Sequence, residues 1–106
     1  MTAPRLLPCG DTAISVEFGT TVDLALTARV RALDLALAAA PFPGVVETVP
    51  TYRALLVHFD PLTTETAALE RHLLALVDRP APVAHSPRRW RVPVAYGGEH
   101  GADLDE

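Results

Sequence analysis

Ala54-Leu55-Leu56-Val57-His58-Phe59 decides the fold. Leu55, Val57 and Phe59 alternate with Ala54, Leu56 and His58, the period-two pattern of a strand. The first set is wholly apolar and the second largely so, which places this strand in the interior of a sheet. Upstream, Val45-Val46-Glu47-Thr48-Val49 is β-branched and reads as a second strand, joined through a turn at Pro50-Thr51-Tyr52-Arg53. Downstream, Asp60-Pro61 stops the central strand. Thr63 or Thr64 then caps a helix whose Leu69, Leu73 and Leu76 share a face, with Val77 beside it; Asp78-Arg79-Pro80 ends it.

The same logic works back to the first residues. Leu26, Val30, Leu33 and Leu37 lie on one face of a helix that starts at an Asp23 cap and stops before Pro41, Pro43 and Gly44. Arg29, Arg31 and Asp34 fall off that stripe, and Arg31 and Asp34 are expected to pair on the surface. Before the helix, Ile14, Val16 and Phe18 alternate with Ala13, Ser15 and Glu17. A Gly10-Asp11 turn links this strand to the short apolar run Arg5–Cys9, which Pro8 confines to a sheet edge. The order ββαββα over residues 1–79 predicts an α+β, two-layer sandwich: one sheet with both helices on one face. If the strands flanking the first helix are parallel neighbours, they make a right-handed crossover.

Residues 80–88 carry Pro80, Pro82 and Pro87 and read as a linker. Residues 89–106 then open a new strand, with Trp90, Val92 and Val94 on one side, and end in Gly97-Gly98 and polar sequence. A strand that leads nowhere reads as the first piece of a truncated second domain.

The 106 residues carry 9 basic and 13 acidic side chains, a net charge of −4, which leaves no basic footprint for nucleic acid. Every basic residue is Arg, so a P-loop lysine, a Schiff-base lysine and a lysine general base are excluded from this chain. With one cysteine there is no internal disulfide, and no apolar run approaches membrane-spanning length. A soluble, cytoplasmic protein without a membrane partner is the expectation.

The residues that carry chemistry are scattered. His58, His72, His85 and His100 show no metal-ligand spacing, so no metal is expected. Cys9 has only the carboxylate of Asp11 as a close charged neighbour in sequence, and reads as a small buried hydrophobe rather than a nucleophile. Asp11 and Asp60 stand at strand ends as candidate bases, with backbone hydrogen bonding the favoured role. Tyr52-Arg53 at its turn suits either an anion or a partner surface. Gly97-Gly98-Glu99-His100-Gly101 allows close backbone approach to a phosphate or carbonyl but lacks the spacing of either nucleotide motif; Glu99 is its acid–base candidate.

Three segments carry a resemblance: Gly10-Asp11-Thr12-Ala13-Ile14-Ser15-Val16-Glu17-Phe18-Gly19, Val49-Pro50-Thr51-Tyr52-Arg53-Ala54-Leu55-Leu56-Val57-His58-Phe59-Asp60-Pro61, and Val92-Pro93-Val94-Ala95-Tyr96-Gly97-Gly98-Glu99-His100-Gly101-Ala102-Asp103-Leu104. Together they resemble the KipI / allophanate hydrolase subunit 1 family, also called the B-type subunit of the bacterial ATP-dependent 5-oxoprolinase. Members commonly have Cys at the position of Ala95 and Pro at that of Ala102, a departure that bears on activity if that cysteine serves it. The resemblance implies a ββαββα domain followed by a cyclophilin-like β-barrel, whose first strand here is Arg91–Tyr96.

It also implies a carboxyltransferase-like second subunit, the C-type component of 5-oxoprolinase, and ATP as the energy source for opening 5-oxoproline to glutamate. Catalysis is then expected at Glu99, with substrate contacts from Tyr96, Gly97 and Gly98. Gly10, Asp11, Tyr52, Arg53, His58 and Asp60 are motif positions for a partner or for the fold. The alternative that the resemblance carries is a KipI-like inhibitor docking on a sporulation histidine kinase. This stretch by itself is expected to bind neither ATP nor 5-oxoproline tightly, and to self-associate through its unpaired strand.

Overall fold

The computed structural model describes residues 3–78 and 88–101. Four strands, β1 (Arg5–Pro8), β2 (Ala13–Glu17), β3 (Val45–Pro50) and β4 (Ala54–Phe59), form one antiparallel sheet in the order β1-β2-β4-β3. Helix α1 (Leu24–Ala39) joins β2 to β3, and α2 (Thr66–Val77) follows β4. The architecture is the two-layer α+β sandwich that the alternation implies. The linker expected at 80–88 lies, but for Arg88, outside the described residues.

The strand register sorts the side chains. Leu6 and Pro8 on β1 stand opposite Val16 and Ile14, which in turn face Leu55 and Val57 on β4. This face meets Val30, Leu33 and Leu37 of α1 and Leu69, Leu73 and Leu76 of α2 in one core, completed by Phe18 and Phe59. Both helices therefore cover the same side. β4 is interior and β1 is an edge, as their sequences require.

The flanking strands of α1 are not neighbours. β2 and β3 are both antiparallel to β4, hence parallel to each other, but β4 lies between them. The crossover skips one place because the Pro50–Arg53 turn folds β4 back and its two apolar faces take the interior position.

Local chemistry sets the element ends. Asp23 caps α1, its Oδ1 accepting from Ala25 N at 2.9 Å. The α2 cap differs from expectation. Glu65 is the N-cap residue and makes no side-chain cap bond. Thr64 instead donates its hydroxyl to Pro43 O at 2.6 Å, and Thr63 donates to Asp60 Oδ2 at 3.0 Å. The carboxylate three residues back took one hydroxyl and a tertiary carbonyl the other, away from the helix end. At the other end of α1, His72 Nε2 donates to Ala40 O at 2.8 Å, and its ring packs 5.1 Å from that of Phe42.

Two further expectations are corrected. Arg31 and Asp34 do not pair; Asp34 Oδ1 accepts from Thr48 Oγ1 at 2.7 Å, because a β3 hydroxyl lies closer than the next helical turn. Residues 90–96 form no strand. A strand exists through its ladder, and this run has no partner among the described residues, so Trp90, Val92, Val94 and Tyr96 stand exposed.

Candidate functional site

The β3–β4 turn is the best-built feature outside the core. Thr51 N and Thr51 Oγ1 both donate to Ala54 O, at 2.8 and 3.0 Å, and Ala54 N donates back to Thr51 Oγ1 at 3.2 Å. Phe18 N donates to Arg53 O at 2.8 Å, and Thr27 Oγ1 of α1 donates to Tyr52 O at 2.8 Å. The turn's backbone is thus held by β2 and α1 as well as by itself. Its side chains remain outside: both Tyr52 and Arg53 are exposed. Such a pedestal presents a ring and a guanidinium at small entropic cost on binding.

Beside it, Thr27, Val30 and Arg31 of α1 face Pro50, Thr51 and Tyr52 across a groove of about 450 Å³. Sequence reasoning found Tyr52 but missed Thr27 and Arg31 as its neighbours. Thr27 and Arg31 are four apart on the helix, off the Leu stripe, and that offset was the available signal. Behind the turn, the guanidinium carbon of Arg29 lies 4.5 Å from the Phe18 ring centroid, a cation–π contact that braces the end of β2. Arg5 and Glu17 pair at 3.8 Å with Arg5 well exposed, so this ion pair adds little.

The glycine turn is the second candidate. Gly97 and Gly98 have φ of 72° and 63°, the left-handed region that glycine adopts without strain. Gly98–His100 form one 3₁₀ turn, closed by Gly101 N donating to Gly98 O at 3.4 Å. A Cβ at Gly101 would lie 2.6 Å from Gly97 N, so the turn demands glycine there as well. Tyr96, Glu99 and His100 are all exposed. This arrangement offers backbone approach and one carboxylate in water.

The remaining motif residues lie at turns, at a strand end and on the open sheet face. Gly10, φ 67°, and Asp11 form the β1–β2 hairpin turn, where Cys9 N donates to Ala13 O at 2.9 Å. Asp60 accepts from Leu62 N and Thr63 Oγ1, each at 3.0 Å, and so terminates β4 in its favoured role. His58 is half-buried on the sheet face away from the helices, in register with Ala13 and Glu47. Cys9 is an exposed free thiol, not the buried hydrophobe expected. It lies beyond the last β1–β2 pair, Pro8 with Ile14, where nothing covers it. The structure does not bring Glu99 and Tyr96 to the Tyr52–Arg53 turn. Among the described residues no cluster of three or more His, Cys, Asp or Glu side chains is placed to hold a metal, and no helix is long and apolar enough to cross a membrane.

Comparison with known proteins adds a frame. Residues 4–106 match the family model described as carboxyltransferase domain, subdomain C and D. The chain is 29% identical over 108 residues to the B-type subunit of 5-oxoprolinase from Bacillus subtilis (strain 168), covering 92% of this chain and 45% of that protein. It therefore spans about half the length of the curated relative it matches. Among solved structures, urea carboxylase of Kluyveromyces lactis is 28% identical with a TM-score of 0.66, covering 70% of this chain and 7% of that one. The N-terminal domain of the histidine kinase inhibitor KipI from Bacillus subtilis shares the fold at 24% identity and a TM-score of 0.50, over 71% of this chain and 69% of that one.

Proposed function

This chain belongs to the carboxyltransferase domain family, subdomain C and D, and on that premise we propose that it is part of a subunit of an ATP-dependent 5-oxoprolinase, opening 5-oxoproline to glutamate in the cytoplasm. The observation that carries the reading is the alignment of 92% of the chain with the B-type subunit of 5-oxoprolinase. Opening the ring breaks its amide C–N bond and adds water, leaving a carboxylate and an amine. The amide is resonance-stabilised, so coupling to ATP supplies the driving force.

In this reading the chain works beside a carboxyltransferase-like second subunit. The rigid Tyr52–Arg53 turn is a docking element for that subunit. The glycine turn is this chain's contribution to a shared site. Gly97 and Gly98 let the backbone approach a substrate carbonyl, Tyr96 contributes a hydroxyl, and Glu99 moves a proton once the partner shields it from water. ATP binds elsewhere in the complex: the chain has no lysine, and its glycine turn presents a carboxylate that repels phosphate. The kinase-inhibitor alternative draws on a likeness of fold alone, and no feature of the site favours it.

The test is conversion of 5-oxoproline by the protein carrying this chain, co-expressed with its partner subunit. Glu99→Gln is expected to lower turnover roughly 10²–10⁴-fold, the usual worth of general acid–base catalysis, with the complex still assembled. Full activity in the variant overturns the role of Glu99. Micromolar binding of ATP to residues 1–106 in calorimetry overturns the assignment of ATP to another subunit.

A further inference from the structure

An apolar groove lies between α1 and the edge strand β3, with a single charge on its wall. The register turns Pro50 towards the helices, since it stands opposite Leu55 of the core face. Pro50 and the fully buried Val30 thus form the floor of the cavity of about 450 Å³, with Thr27, Arg31, Thr51 and Tyr52 around them. A preformed cavity of roughly 300–1,000 Å³, mostly apolar with a few fixed polar groups, is the usual form of a binding site.

Two of its polar groups are occupied. The Thr27 hydroxyl donates to Tyr52 O at 2.8 Å and the Thr51 hydroxyl to Ala54 O at 3.0 Å. Arg31 and the Tyr52 phenol are not: both side chains are exposed, and neither has a polar partner among the described residues. Asp34, three residues along α1, accepts from Thr48 instead of pairing with Arg31. No carboxylate lines the cavity, although the chain as a whole carries a net charge of −4. A guanidinium on an apolar wall with no carboxylate of its own is matched by a carboxylate from outside, held by two parallel N–H···O bonds.

An added strand is not the occupant, since Pro50 lacks an N–H and a bulge disturbs the Val45–Glu47 register. The occupant is held by side chains. Tyr52 lines the groove and also belongs to the β3–β4 turn, so whatever docks on the turn lies at the mouth of the groove. On the premise that the turn docks the second subunit, we propose that the α1–β3 groove receives an acidic segment of that subunit. Its carboxylate pairs with Arg31, and an adjacent apolar side chain rests on Val30 and Pro50. Arg and Tyr are the residue types that most often dominate such contacts. Arg31 then sets which partner is accepted, because a segment without the carboxylate leaves the guanidinium desolvated and unpaired.

The test is the affinity between the protein that carries this chain and the second subunit, each purified and measured by biolayer interferometry. Arg31→Gln is expected to weaken the complex about tenfold or more, and Arg31→Glu about tenfold further, because like charges then meet. The native affinity is expected to fall as NaCl rises from about 50 mM to about 500 mM, and less steeply in Arg31→Gln. Arg71→Glu makes the same charge change at an exposed site on α2 and is expected to leave affinity unchanged. Urea unfolding checks that each variant is folded. An affinity that Arg31→Gln leaves intact, Arg31→Glu no weaker than Arg31→Gln, or Arg71→Glu as damaging as Arg31→Glu would each overturn the proposal, while the native complex would keep the two-subunit reading in place. A native pair that does not associate would remove that reading and the proposal together.

Discussion

Gly44→Ala is expected to be the most damaging single-methyl change in this chain. Gly44 has φ of 92°, outside the small left-handed region that L residues enter at a cost of about 1–2 kcal/mol. An added Cβ would overlap Thr64 Oγ1 and lie 3.1 Å from Thr64 Cβ and 3.3 Å from Thr63 Cβ. Thr64 is buried and its hydroxyl is committed to Pro43 O at 2.6 Å. It must therefore turn away, and a buried hydroxyl that loses its acceptor costs about 1–3 kcal/mol. The two effects sum to about 2–5 kcal/mol, a large share of the stability of a domain this size. With a urea m-value of about 1–3 kcal/mol/M, the midpoint falls by about 2 M at the middle of both ranges.

The mechanism is separable by a double-mutant cycle with Thr64→Ala, followed by urea unfolding. In that background the clash with Oγ1 is gone, and the backbone cost and the two tight Cβ contacts remain. Gly44→Ala should then cost about 1–3 kcal/mol less than in the native chain. Additive costs would refute the claim that the two residues compete for one space.

Leu55→Ala, at the fully buried centre of β4, should lose about 2–5 kcal/mol in the same assay; a loss below about 1 kcal/mol on the same scale would mean that the core lies elsewhere. Asp23→Ala should lose about 1 kcal/mol by removing the α1 cap, while Thr63→Ala should leave α2 helicity unchanged in circular dichroism, since neither Thr63 nor Thr64 caps that helix. Cys9 should react with a thiol reagent in the native protein at the rate of the urea-unfolded chain; strong protection on folding would contradict its exposure. His72→Leu should destabilise by about 1 kcal/mol, because Ala40 O loses its donor at the end of α1; no loss would mean that solvent already serves that carbonyl.

The elements most legible in the sequence are those set by periodicity. The two-fold alternation at 13–18 and 54–59 and the leucine stripes at 26–37 and 69–76 each found their partner in one core. Pro8 at an edge and the doubly apolar β4 in the interior followed from what a ladder permits. Most of what escaped depends on contacts between distant residues. Thr63 and Thr64 look like caps in a linear reading, but Asp60 and Pro43 claim their hydroxyls once the chain is folded. The skipped crossover is set by which strand fills the interior, which no local window shows. Trp90–Tyr96 alternates like a strand, yet alternation describes only a side-chain pattern and a ladder needs a neighbour. For the site, Tyr52–Arg53 was visible as a turn between strands, whereas its bond to Thr27, twenty-five residues away, was not.

The central claim is that this chain belongs to a working 5-oxoprolinase subunit. Its most direct test follows ATP-dependent conversion of 5-oxoproline to glutamate by the co-expressed complex, with and without the protein that carries this chain. Conversion that appears only when it is present is the predicted result. A well-folded complex that converts 5-oxoproline equally well without it, or not at all with it, would contradict the account and turn the search towards a histidine kinase partner.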